Sequence, residues 1–146
     1  MRALFRSIIF LAPIALSVYT LSCAAEAATD IKQPSAINPN GDSELALLMR
    51  AMYDDAAQMK EAIARGEQPK SAIDHSKMLT ASATEPDKAA SDTYKNWAQS
   101  YLHTVEALQN GDLEMAPDLF NNMVGNCMGC HTDLCPGPKM RIKNLY

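Results

Sequence analysis

Between residues 45 and 63 apolar side chains recur at steps of four and three, through Leu45, Met49, Met52, Ala56, Met59 and Ile63, with mostly polar or small residues between. That spacing lays one apolar seam along an α-helix. Asp42 or Ser43 can cap its start, and Gly66 after Arg65 can take the left-handed conformation that closes a helix. The same period returns at Tyr94, Ala98, Tyr101, Val105 and Leu108, with Trp97 beside it. Thr84-Glu85-Pro86-Asp87 supplies a capping arrangement ahead of that run, and Asn110-Gly111 a stop behind it. A third run, Ala116, Phe120, Met123, Cys127, Cys130 and Leu134, follows Pro117 and ends at Pro136-Gly137-Pro138. Between the first two runs, residues 69–79, with Pro69, Ile73 and Leu79, read as a short second helix of weaker period. Four amphipathic helices on short connections predict an all-α fold, an antiparallel four-helix bundle over residues 42–135. No stretch of β-branched residues alternates with polar ones as strands do.

The flanks read differently. Arg2 and Arg6 precede an apolar stretch at 7–21 that is short and broken by Pro13, and Ala25-Glu26-Ala27 is a small-x-small cleavage site. Residues 1–27 are therefore expected to be a signal peptide, delivering a soluble protein to the periplasm with no transmembrane span. Cys23 marks the alternative, a lipid-anchored mature form. Residues 28–41, with Pro34, Pro39 and Gly41, read as a flexible leader, and residues 136–146 as a basic C-terminal tail carrying Lys139, Arg141 and Lys143. The whole chain has a formal charge of -4, and loss of Arg2, Arg6 and Glu26 makes it one unit more negative. Such an acidic domain argues against nucleic acid as a partner and suits docking to a basic protein.

The candidate chemistry is the run Asn126-Cys127-Met128-Gly129-Cys130-His131. On a helix Cys127 and Cys130 lie on one side a turn apart, able to form thioethers to two vinyl groups of one porphyrin, with His131 adjacent as an iron ligand. A zinc site could draw on Cys127, Cys130, His131 and Cys135, but all four lie within nine residues of one predicted helix, which cannot easily surround a tetrahedral ion. A redox disulfide Cys127–Cys130 would call for a βαβ context with the first cysteine at a helix start. Export, helical placement and the adjacent histidine favour one covalent haem c, with a zinc-binding structural module as the remote alternative.

A CxxCH close to the C-terminus, on the last helix of a bundle this size, resembles the class II c-type cytochromes, cytochrome c′ and its low-spin relatives. The resemblance covers roughly residues 44–134, and only Cys127-Met128-Gly129-Cys130-His131 is highly specific within it. It implies thioethers at Cys127 and Cys130 and proximal ligation by His131. The segment Met52-Tyr53-Asp54-Asp55-Ala56-Ala57-Gln58-Met59-Lys60 resembles the family's methionine-bearing stretch, which implies Met52 as sixth ligand, with Met49 one turn earlier on the same seam. Family members often carry an arginine four residues after the haem histidine, where this chain has Cys135, read as a small half-buried thiol at the haem edge. The reading that follows is an electron carrier with redox proteins as partners and homodimerisation as a further form of association. The alternative is a five-coordinate haem protein binding nitric oxide or carbon monoxide. Tyr94, Trp97 and Tyr101 are expected around the porphyrin edge. Lys139, Arg141 and Lys143 are expected in solvent or against haem propionates, and His75 and His103 on the surface. No acid–base pair, activated nucleophile or phosphate loop is present in the pattern, so no enzyme activity is expected.

Overall fold

Ser43 begins the first helix, α1 (Glu44–Ala64), by accepting a hydrogen bond from the Ala46 amide at 3.2 Å. The computed structural model describes residues 41–146; the expected signal peptide with Cys23, and residues 28–40 of the leader, lie outside the described residues. Gly66 at φ 70° closes α1, its amide bonded to the Ile63 carbonyl and that of Glu67 to Ala62. This is a helix end that a side chain at residue 66 would strain. Four more helices follow, α2 (Pro86–Ala90), α3 (Asp92–Asn110), α4 (Ala116–Asp133) and α5 (Lys139–Ile142), and the described residues contain no strand. None of these helices is long and apolar enough to cross a membrane.

The predicted cap at Thr84 is not made: the short α2 has Glu85 at its N-cap and no side-chain cap hydrogen bond. Thr84 Oγ1 donates instead to Ser43 Oγ at 2.9 Å. The chain then breaks at Ser91, whose hydroxyl accepts from the Tyr94 amide and caps α3. α3 and α4 form the most extensive helix pair. Trp97 bonds Asp133, Ser100 bonds Asn126, and Gly111 abuts Leu119. Positions rise on one helix as they fall on the other, so the pair is antiparallel, as the short turn between them requires.

The three long seams are the core. Met52, Ala56 and Met59 of α1, Tyr94, Ala98, Tyr101, Val105 and Leu108 of α3, and Ala116, Phe120 and Met123 of α4 are all buried. Leu45, Met49, Ile63, Cys127 and Leu134 pack against them partly buried.

The predicted second helix over 69–79 is not formed. Its first half runs as an irregular segment and its second half is a 3₁₀ turn, His75–Leu79. The segment's hydrogen bonds go elsewhere. The Ala72 amide donates to Asp55 Oδ1 at 2.9 Å, the Ser71 amide to Gln109 Oε1 at 2.9 Å, and Gln68 Nε2 reaches the carbonyls of Leu108, Gln109 and Gly111 at the end of α3. Side chains of the flanking helices thus satisfy backbone that a helix would have satisfied internally. His75, expected on the surface, is 5% exposed. Its Nε2 lies 3.1 Å from Asp55 Oδ2 and 2.8 Å from Ser71 Oγ, and its Nδ1 lies 3.0 Å from the Tyr101 hydroxyl. His103 is exposed, as expected.

The basic tail is docked. α5 and a 3₁₀ turn, Lys143–Leu145, bring Ile142 and Leu145 into the core. Arg141 donates to Asp54 on α1 at 3.0 Å, and Lys60 donates to the Tyr146 carbonyl at 2.7 Å.

The buried network makes a stability prediction. His75→Ala leaves the buried Asp55 carboxyl group and the Tyr101 hydroxyl without the imidazole they share, and should cost about 3 kcal/mol in urea denaturation. Replacing Asp55 and His75 together by leucine strands the Ala72 amide as well, and should cost at least as much.

Candidate functional site

α4 carries Cys127, Cys130 and His131 at i, i+3 and i+4 of one helix. Cys130 and His131 line a cavity of about 400 Å³, in the range of cofactor and ligand sites. Its other walls come from α1 (Leu45, Met49, Arg50, Tyr53), from residues 83–89, from Tyr94 of α3, and from the docked C-terminal segment. The walls near His131 are mostly apolar, and the cations Arg50, Lys88 and Arg141 are among the lining residues.

His131 is held by main chain. Its Nδ1 lies 2.9 Å from the Cys135 carbonyl oxygen. A carbonyl only accepts, so Nδ1 carries the proton and Nε2 keeps its lone pair, the arrangement in which a histidine ligates a metal through Nε2. The turn after α4 makes this possible. The Leu134 amide ends the helix on the Cys130 carbonyl at 2.9 Å, and the Pro136 that follows prevents its continuation. Cys135 thus contributes through its backbone at the position where the resemblance would have put an arginine. Burial pushes the His131 pKa below the ordinary value, partly opposed by the Cys135 carbonyl.

The two motif thiols behave differently from a redox pair. Burial, reinforced by the neighbouring Cys130, pushes Cys127 up to about 12, and burial with the nearby Asp133 pushes Cys130 up to about 11. Redox-active cysteines have depressed values, so the direction of both shifts runs against that role. No disulfide joins them. Among the described residues no three His, Cys, Asp or Glu side chains are gathered in an arrangement that could hold a metal ion. A porphyrin bound through thioethers and one imidazole needs thiols and a neutral histidine along one helix beside an apolar cavity. Cys130 and His131 meet that requirement at the cavity, and Cys127 lies one turn away against the core.

Not every predicted residue meets at the cavity. Cys127 packs against the core one turn before Cys130, close to Tyr101. Met52 is 6% exposed within the core and is not a lining residue, whereas Met49, one turn earlier, is. Of the three aromatics expected around a porphyrin, only Tyr94 lines the cavity, its hydroxyl donating to the Met78 carbonyl at 2.7 Å. Tyr101 instead holds His75. Trp97 lies against Gly129, where a Cβ would overlap the indole ring, and its Nε1 donates to Asp133 at 2.9 Å. The glycine inside the motif is what lets α3 approach α4. Tyr53 and the C-terminal wall had no motif to announce them; the one available signal was the apolar pair Ile142 and Leu145 in a segment otherwise read as tail.

Two outcomes follow. Because the folded His131 pKa lies below the ordinary 6.5, the unfolded chain takes up the proton more readily. The stability contributed by neutral His131 is complete above that value and is lost as pH falls through it toward the folded value. In protein made without haem attachment, the loss of urea stability between about pH 7.5 and pH 5 should be smaller in His131→Gln than in the wild type. Gly129→Ala should lower stability by about 1–3 kcal/mol despite alanine's better helix propensity, because the methyl displaces Trp97. No family model matches this chain, and no curated protein or solved structure matches it.

Proposed function

We propose that this protein is an exported monohaem c-type cytochrome of the class II kind that carries electrons between periplasmic redox proteins. In this reading Cys127 and Cys130 bind haem as thioethers and His131 is the proximal ligand. The bundle is completed by the pinned segment 66–79 in the second position. The observation that carries the reading is the His131 Nδ1–Cys135 carbonyl bond at 2.9 Å, which leaves Nε2 available on the wall of an apolar cavity that Cys130 also lines. Bound iron porphyrin would supply a one-electron couple. The chain's own contribution would be to orient the imidazole, exclude water with the apolar walls from α1 and the C-terminal segment, and offer a soft thioether from the α1 wall. The resemblance implied Met52 for that last role. Met49 is the better candidate, because it lines the cavity and Met52 is packed in the core.

Co-expression with a cytochrome maturation system should give a coloured protein heavier than the mature chain by one haem. The weak long-wavelength ferric band of a methionine-ligated haem should be present, should vanish in Met49→Ala and should survive in Met52→Ala. Loss of the band in Met52→Ala alone would return the ligand to Met52. High-spin spectra with tight carbon monoxide binding in the unmodified protein would replace the carrier reading by a five-coordinate haem that binds nitric oxide or carbon monoxide.

A further inference from the structure

Four residues of the C-terminal segment, Gly137, Pro138, Arg141 and Ile142, line the same cavity as His131 and Cys130. The segment is anchored beyond them, by Ile142 and Leu145 in the core and by the Lys60 bond to the Tyr146 carbonyl. Within the anchored stretch the Arg141 guanidinium lies 4.2 Å from the centroid of the Tyr53 ring and donates through Nη2 to Asp54 at 3.0 Å. On the reading that this cavity receives haem, we infer that residues 136–146 are its closing wall and that Arg141 binds a haem propionate.

A haem brings two carboxylates, and a carboxylate at the edge of an apolar cavity requires a cation or a set of donors. Three cations line this one, and each already has a carboxylate beside it. Arg50 donates through both Nη atoms to the Gly41 carbonyl at 3.1 Å and to Asp42 at 2.8 Å, and Lys88 is paired with Glu85 at 2.7 Å. Arg141 pairs with Asp54, whose side chain is 63% exposed. A pair that exposed is weak, so exchanging Asp54 for a propionate costs little. The stack on Tyr53 holds the guanidinium in place, and its planar fork matches a carboxylate. The other titratable or charged groups facing that region are Arg50, Tyr53 and Asp54 from α1, Glu85 and Lys88 beside α2, Tyr94 from α3, and Cys130, His131 and Cys135 at the end of α4.

The test is the pH dependence of the midpoint potential of the haem-loaded protein, read spectroscopically. A cation beside a propionate lowers its pKa by about one unit or more. In Arg141→Gln the inflection of potential against pH should therefore move up by about one pH unit, and at alkaline pH the potential itself should fall, since the ferric centre loses a neighbouring positive charge. Asp54→Asn frees Arg141 from its competitor and should move the inflection the opposite way. Arg65→Gln, a change at an exposed pair with Glu67, should move neither. If the Arg141–Asp54 pair only staples the tail, Arg141→Gln and Asp54→Asn shift together; that result, or an unmoved inflection in Arg141→Gln, overturns the assignment while leaving haem binding intact. A wild-type chain that leaves the maturation system without haem overturns both this inference and the reading beneath it.

Discussion

A carboxylate and an imidazole sealed from water need each other, and the pairing of Asp55 with His75 at 3.1 Å is the contact on which the rest of this fold depends. α1 offers the core only one seam, and no long second helix covers its flank. The irregular segment after Gly66 covers it, and its internal hydrogen bonds are short-range, made around Ser71 and Asp74 and within the 3₁₀ turn. Asp55 holds it through the Ala72 amide and His75, and Tyr101 reaches the same imidazole from α3. One network thereby joins α1, the segment and α3, and no buried side-chain nitrogen or oxygen among the described residues lacks a partner.

With α1 fixed from that side, the packing of α4 decides where space remains. α4 lies close against α3, brought in by Gly129 beneath Trp97, and shares far less surface with α1. The cavity opens between α1 and the end of α4, where His131 stands. Its remaining side is covered by the C-terminal segment, which can turn back because Pro136 and Pro138 stop α4 and because Ile142 and Leu145 have core positions to fill. The same chain reversal puts the Cys135 carbonyl at His131. Helix termination, imidazole orientation and cavity closure are thus consequences of one short stretch, residues 134–142.

Much of this was legible in the residues. The three long helices, their seams and the ends at Ser43, Gly66 and Gly111 follow from local rules, because a 3.6-residue period and a capping side chain act within a few positions of themselves. The CxxCH motif was legible for the same reason, since its spacing is a property of one helix. The fate of residues 69–79 was not, because their partners, Asp55, Tyr101 and Gln109, lie 17 to 38 residues away in sequence. Nothing local separates a weak helix from a segment whose amides are claimed by distant side chains.

What the sequence by itself determined is therefore the three long helices, their buried faces and the placing of Cys127, Cys130 and His131 together on one of them. Only the tertiary structure decided that His75 is buried, that Met49 rather than Met52 borders the cavity, and that the basic tail is a wall. The physical reason is that periodicity assigns a residue to the apolar side of its own helix, where Met49 and Met52 are equivalent. Which of them meets another helix and which meets open space depends on how closely the helices approach, and that is set by contacts such as Gly129 against Trp97, which no single segment contains.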